Sequence, residues 1–497
     1  MSVRYISTLL IVLISIIYIS GCQQTNDSAE NSESSSEGKI SISDIPSPEQ
    51  DKNIKEFDIV AKESQWDLGG NKIINAWTYN GTVPGEEIRV KEGDFVRINL
   101  KNELNEPVTI HFHGMVLPNK MDGVAGLTQD AVQPGDSFTY EFLADDPGTY
   151  WYHSHQSSSE QVDRGLYGSF VIEPKNKLYD REYTLLLDEW AIGDNGRGGM
   201  MGGMMNGMSS GEMDTDMFYN TYTVNGKTGQ YIAPIEVNNG EVVRLRFVNA
   251  GYRKHFLRFN GEPYRIVGID GNPIYNTNPG TEHLEIGPSE RIDVELTIDN
   301  TKQWQIESVD DNSAAENMVV KVIPKNIDED NQSKTTETKD DVTENGTQYM
   351  DPIFKEIPTP DIEYDMLLGA SMGMGNMEFT INEEVFPETE PFEVKEGDIV
   401  KATLINDSRF DHPMHLHGHY FQIIAKDGQK LDNPMVKDLI NVKPGESYEI
   451  MFKADNPGLW AFHCHDLNHA AGGMMTTLEY QGYYSPFDIH ENGNEPE

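Results

Sequence analysis

One short stretch of this chain occurs three times. Val90-Lys91-Glu92-Gly93-Asp94-Phe95-Val96-Arg97 returns as Val394-Lys395-Glu396-Gly397-Asp398-Ile399-Val400-Lys401, with a weaker copy at Val237-Asn238-Asn239-Gly240-Glu241-Val242-Val243-Arg244. Each copy is followed at a similar interval by a second element: Pro134-Gly135-Asp136, Pro288-Ser289-Glu290 and Pro444-Gly445-Glu446. These second elements open runs of alternating apolar and polar residues, such as Ser447, Tyr448, Glu449, Ile450, Met451 and Phe452. Short alternating runs punctuated by Gly, Pro, Asn and Asp predict antiparallel β-sandwiches. Three copies predict three sandwiches, spaced at about 150 residues, an ordinary domain length.

The repeat brings the histidines into register. The offset that carries Val90 to Val394 also carries His111 and His113 to His415 and His417. A similar offset carries His153 and His155 to His463 and His465. The middle copy has Arg258, Asn260, Glu307 and Val309 at the corresponding places, which predicts a spacer without metal. The third copy alone adds Cys464 where the first has Ser154, His412 for Val108 and His469 for Ser159. Imidazoles with a single thiolate suit copper, whereas zinc usually takes four closed ligands and calcium or magnesium wants oxygen.

Strand geometry sorts these ligands into two sites. Neighbouring side chains on a strand point to opposite faces, so His463 and His465 can reach one cluster while Cys464 points to another. His412, Cys464 and His469, with Met474 as a weak axial thioether, form the ligand set of a blue-copper site. The eight histidines of the first and third copies suffice for three further coppers. Four coppers in total can accept the four electrons that reduce dioxygen to water.

The chain begins with Arg4, an apolar run from Tyr5 to Ile19, and then Ser20-Gly21-Cys22, which reads as a secretion signal. Ile19-Ser20-Gly21-Cys22 resembles a bacterial lipobox, implying cleavage before Cys22 and a lipid anchor on the outer face of the cell membrane. Cys464 is then the sole unmodified thiol of the two cysteines, and no disulfide competes for it. Residues 22–53 are polar and acidic and read as a disordered tether. Lys and Arg total 38 against 82 Asp and Glu, a net charge of -44, which repels nucleic acid and attracts cations.

The HxHG, HxH, HPxHxHG and HCHxxxHxxxxM motifs, all in order, resemble those of the three-domain multicopper oxidases, the laccase and cuprous oxidase family. The resemblance implies an all-β chain of three consecutive cupredoxin-like Greek-key β-sandwich domains. It places His111 and His415 on a type 2 copper, and His113, His153, His155, His417, His463 and His465 on a type 3 pair. His412, Cys464, His469 and Met474 fall on type 1. Asp122, eleven residues after His111, matches an acidic residue near the type 2 copper and implies a proton relay. Many relatives carry a glutamate directly after the last type 1 histidine, where this chain has Ala470, so proton delivery is expected either to run through another acid such as Asp466 or to be slower.

The expected division is a signal peptide at 1–21, a tether at 22–53 and domains at 54–176, 177–325 and 351–484. A polar linker at 326–350 and an acidic tail at 485–497 complete it. Residues 200–217 hold Met200, Met201, Met204, Met205, Met208, Met213 and Met217 among glycines, too irregular for a helical core and expected as a loop. Thioether selects Cu(I), and a second group, Met372, Met374 and Met377, lies early in the third domain. The expected reductant is Cu(I), with small phenols or aromatic amines as the laccase-type alternative and dioxygen as acceptor. A non-enzymatic envelope protein that only sequesters copper is the contrasting reading, and turnover of Cu(I) beyond the bound ions excludes it. His255, His283, His419 and His490 have no motif partner and are expected to be structural or on the surface; Trp151, Trp460 and Phe462 are expected in the core.

Overall fold

The computed structural model describes residues 38–47, 53–193, 219–260, 263–275, 279–280, 283–299, 302–325, 348–349, 352–372 and 377–497. The signal peptide with Cys22, the methionines from Met200 to Met217, Met374 and nearly all of the polar linker lie outside the described residues.

The described residues form three pairs of packed sheets, each pair around its own apolar core, and a two-stranded sheet of Ile40–Ser41 with Tyr483–Tyr484. The first pair sets the four-stranded sheet containing Ile54–Asp67 and Asp94–Asn102 against one containing Gly148–His153 and His111–His113. Alternation fills the space between them: Val96, Ile98 and Leu100 are buried, while Arg97, Asn99 and Lys101 face outward. The third pair repeats the plan with a six-stranded and a five-stranded sheet, and the second with seven and five strands.

The sheets differ from the antiparallel expectation in one respect. Each sandwich also contains parallel pairs, such as Ile54–Asp67 with Asp94–Asn102 and Ile362–Met372 with Ile399–Asn406. Greek-key connections cross between sheets, so strands brought side by side without a hairpin are free to run parallel.

The triplicated octapeptide is a turn. Gly93, Gly240 and Gly397 all have positive φ, at 88°, 84° and 95°. The acid after each glycine closes the turn: Asp94 accepts from the Lys91 N–H at 2.8 Å, Asp398 from Lys395 at 2.8 Å and Glu241 from Asn238 at 2.9 Å. The repeat therefore records backbone chemistry, independent of any ligand.

The strands that carry the histidines end at one edge. His111–His113 pairs with Gly148–His153 so that His111 lies opposite His153. In the third pair, His415 lies opposite His463 and Met414 opposite Cys464. Residues 485–497, expected as an acidic tail, fold back on the first sandwich: Ser485 Oγ donates to the Leu127 carbonyl at 2.7 Å, and Asn494 Oδ1 accepts from the Ala131 N–H at 2.8 Å.

A Cβ at Gly397 would meet no atom within 4 Å, so only the backbone conformation opposes a side chain there. Gly397→Ala should therefore destabilise by about 1–2 kcal/mol without altering the site. A chemical denaturation midpoint equal to that of the unsubstituted protein would show that the turn is not held at positive φ.

Candidate metal centres

Ten histidines and one cysteine gather into two adjoining groups. His111, His113, His153, His155, His415, His417, His463 and His465 form the larger, and each is at most 3 % exposed. Imidazoles from the first and third sandwiches interleave: His111 stacks on His417 with centroids 4.0 Å apart, and His113 on His415 at 3.7 Å. Ligand atoms of His111, His415 and His417 lie within 4.8 Å of one another, as do those of His155, His417 and His463. All eight histidines assigned from sequence to the shared cluster are thus brought together.

Seven of the eight rings are held from outside through Nδ1, whereas His113 turns its Nδ1 to His465 Nε2 at 3.1 Å. Nδ1 contacts the Asp122 carbonyl in His111 at 2.8 Å, the Ser154 carbonyl in His153 at 2.9 Å and the Asp438 carbonyl in His415 at 2.9 Å. It contacts the Pro496 carbonyl in His155 at 2.9 Å, the Asp122 carboxylate in His417 at 2.8 Å, and both the Cys464 carbonyl and Glu497 in His463 at 3.1 and 2.9 Å. Such oxygens only accept, so Nδ1 carries the proton and Nε2 keeps its lone pair. His465 Nδ1 pairs with Ser289 Oγ at 2.5 Å, and His113 Nε2 lies 3.6 Å from the Asp438 carboxylate.

The inward nitrogens have no protein donor. Nε2 of His111, His153, His155 and His415 is buried without a hydrogen-bond partner. Nε2 of His417 faces Nε2 of His463 at 3.0 Å, two lone pairs pointed at each other. Such an arrangement needs a cation between or beside the rings, so the residues fit copper ions and their outer supports fix the ring tautomers. Burial, with neighbouring imidazoles adding to it, holds His113, His153, His415, His417 and His465 well below the usual histidine range and His155 at about 4. Neutral rings are the form that binds metal.

The smaller group has the size and donors to hold a single ion. Cys464 Sγ lies 3.8 Å from His412 Nδ1 and 3.6 Å from His469 Nδ1, and the two nitrogens are 3.2 Å apart. Met474 is fully buried in the same core, and its carbonyl accepts from the Cys464 N–H at 3.0 Å. Ser408 holds His412 through Nε2 at 2.7 Å, and Phe379 covers His469 with centroids 3.9 Å apart. Burial pushes the Cys464 thiol well up, so a thiolate here requires a bound metal cation to stabilise it.

Asp122 sits between two cluster rings, with its carboxylate 2.8 Å from His417 Nδ1 and 3.2 Å from His111 Nδ1. Asp466, the alternative acid, caps the Leu467–Ala471 helix by accepting from the Asn468 N–H, and lies 3.5 Å from His469. Its described contacts fall on the mononuclear group. Glu497 is the carboxylate against the larger cluster that sequence reasoning missed, along with Ser289 and Asp438. Trp151, Trp460 and Phe462 are all in apolar cores as expected, and Trp151 also lies against the cluster, its ring 4.2 Å from that of His153. His419 is buried and bonded to Tyr480 Oη at 2.7 Å.

The middle copy replaces ligands with ion pairs. Arg258 and Glu307 face each other across the strand register that pairs His415 with His463, and they form a salt bridge. His255 has a counterpart after all: it stands where His412 stands, and the Ser308 N–H donates to the Met318 carbonyl at 3.1 Å as Cys464 does to Met474. Instead of a metal, the fully buried ring has Glu189 at 3.3 Å and Asp310 at 3.8 Å. Burial alone would lower His255, but these carboxylates outweigh it and push it up to about 9.

Residues 60–177, 182–327 and 358–482 each match family models described as multicopper oxidase. The chain is 30 % identical to "Multicopper oxidase MmcO" of Mycobacterium tuberculosis over 83 % of this chain and 84 % of that one. It is 26 % identical to "Copper resistance protein A homolog" of Pseudomonas syringae pv. tomato, covering 88 % and 94 % of the two chains. Among solved structures, a Campylobacter jejuni multicopper oxidase described as a metallo-oxidase superimposes with a TM-score of 0.68 at 28 % identity, covering 88 % of this chain and 93 % of that one.

The raised His255 makes a pH prediction. Its ion pairs contribute roughly 3 kcal/mol that is fully present below about pH 6.5 and lost as pH rises through about 9. The Tm advantage of the unsubstituted protein over His255→Gln should therefore shrink across that window. An advantage of constant size would show a neutral ring.

Proposed function

The chain belongs to the multicopper oxidase family, and from that premise we propose that its reductant is Cu(I), oxidised at the outer site while dioxygen is reduced to water within. Four coppers held by these residues would supply one-electron acceptance at the thiolate site and four-electron reduction of dioxygen at the three-ion cluster. In this reading His412, Cys464, His469 and Met474 hold the type 1 ion. His111 and His415 hold type 2, and His113, His153, His155, His417, His463 and His465 the type 3 pair. The stoichiometry closes with four Cu(I), one dioxygen and four protons giving four Cu(II) and two waters.

The observation that carries the reading is the placement of Cys464 between two cluster histidines on one strand end. The Cys464 sulfur lies with His412 and His469, while His463 and His465 turn into the larger cluster. A continuous covalent path through the Cys464 backbone therefore joins the two sites. Asp122 holds two cluster rings and supplies a carboxylate there, which supports its role as the proton relay.

Cu(I) as reductant is supported by the seven methionines of residues 200–217, whose thioethers select the soft cuprous ion. Relatives from Pseudomonas syringae and Escherichia coli bear the name copper resistance protein A, which favours metal over phenol. The net charge of -44 draws cations toward the surface. Cleavage and lipidation at Cys22 would hold the enzyme outside the cell membrane on the acidic tether, where it meets copper before the cytoplasm does. The domain limits 54–176, 177–325 and 351–484 belong to the same proposal.

Cys464→Ser should lose the thiolate-to-copper absorption and all oxidation of external reductant, while the three cluster coppers stay bound. A visible spectrum unchanged by that substitution would place type 1 elsewhere. Deleting residues 200–217 should depress kcat/KM for Cu(I) far more than for a phenol. Equal loss of both activities would take the methionines out of substrate handling and leave the laccase reading.

A further inference from the structure

We propose that the segment Asp488–Glu497 is a strap that positions one half of the type 3 pair, with Glu497 as its key positioning residue. The inference rests on the ligand assignment above and adds a residue outside every motif. The Glu497 side chain is only 6 % exposed and sits 2.9 Å from His463 Nδ1. Its second oxygen accepts from Ser158 Oγ, and the preceding Pro496 carbonyl accepts from His155 Nδ1 at 2.9 Å.

The support is one-sided. His155, His417 and His463 form one compact group of three rings. Their outer partners include Pro496, Asp122 and Glu497, so the strap supplies a partner for two of the three. His153 and His465 are held by Ser154 and Ser289, His113 turns its Nδ1 to His465 Nε2 at 3.1 Å, and none of the three takes anything from the strap. Loosening the strap should therefore take the Pro496 carbonyl from His155 and the Glu497 carboxylate from His463, whose Nδ1 keeps the Cys464 carbonyl at 3.1 Å, and leave the other rings in place.

The strap is built to stay. The Glu495 carbonyl accepts from the Ser157 N–H at 2.5 Å, and its own N–H donates to Gln156 Oε1 at 3.0 Å. Asn494, 2 % exposed, bonds Ala131, Asp130 and the Asp488 carbonyl at 2.8 to 2.9 Å. These anchors lie on the residues just after His155 and in the loop at Asp130 and Ala131. Polar bonds, more than apolar burial, thus carry the segment to the cluster. A buried carboxylate costs several kcal/mol unless it is paired, and Glu497 finds its partners only at this place.

The test uses copper-loaded full-length protein challenged with a chelator, reading retained copper by elemental analysis beside the blue type 1 absorption. Glu497→Ala should lose one copper equivalent with about 10–100-fold weaker retention, while the blue band persists. Glu497→Gln, whose amide oxygen can take the same place 2.9 Å from His463 Nδ1, should restore retention. A chain ended after Phe487 should match or exceed the alanine defect, and the single substitutions decide the matter if that shorter chain does not fold. Retention of all copper by Glu497→Ala would overturn the proposal. So would loss of the blue band together with the cluster, which marks a general structural role, or a glutamine variant as weak as alanine. Failure of the unsubstituted chain to bind four coppers would instead refute the ligand assignment itself.

Discussion

The structure depends on eight imidazoles from two sandwiches meeting in a dry pocket with their lone pairs turned inward. An apolar core stabilises itself as it closes; this pocket does not. Neutral rings without donors forfeit hydrogen bonds that water would supply, a cost of about 1–3 kcal/mol for each unsatisfied nitrogen. That cost is offset in part because seven Nδ1 atoms find oxygen or hydroxyl partners behind them, and cations bound at the inner face would offset the rest. Metal bound among these rings should therefore stabilise the closed arrangement of the two sandwiches.

A single repeat has been put to three uses. The first and third copies keep histidines at the ends of paired strands, and the third adds a thiolate one residue between two of them. The middle copy spends the same positions on Arg258 with Glu307 and on His255 with Glu189 and Asp310. An imidazolium between carboxylates is a local substitute for a metal ion among ligands, since both place a positive charge at the heart of the pocket. The middle copy is also more than a spacer, because Ser289, from its Pro288-Ser289-Glu290 element, reaches His465.

The ligands were legible in the sequence because coordination chemistry restricts residue types and strand alternation restricts spacing. His463-Cys464-His465 can serve two sites from one strand end only in that order. The second tier was hidden. Ser289, Asp438, Pro496 and Glu497 act through a hydroxyl, carbonyls and carboxylates that many residues could offer, and they lie far along the chain from the rings they hold. Their roles exist only once three sandwiches and a returning segment have packed. His255 could have been found, since His255-Phe256-Leu257-Arg258-Phe259-Asn260-Gly261 aligns with His412-Pro413-Met414-His415-Leu416-His417-Gly418. Judging it by the absence of a second histidine concealed that alignment. The parallel strand pairs were invisible for another reason: side-chain periodicity reports which face is buried and says nothing of a neighbour's direction.

Charge behind the cluster explains how these supports hold still. Asp438 offers its carbonyl to His415 and its carboxylate toward His113, and a buried carboxylate in that role would rotate unless fixed. Arg291 from the middle copy fixes it, pairing with Asp438 and lying 3.3 Å from Asp270, while Lys437 bonds Glu290 at 2.7 Å and Asp270 at 3.1 Å. Buried ion networks of this kind contribute little net stability, because desolvation consumes most of the attraction. Their effect is geometric. They lock the middle and third sandwiches in one register, and with them the nitrogen of His415 that faces the metal, so the orientation of a ligand is set by charges that never touch it.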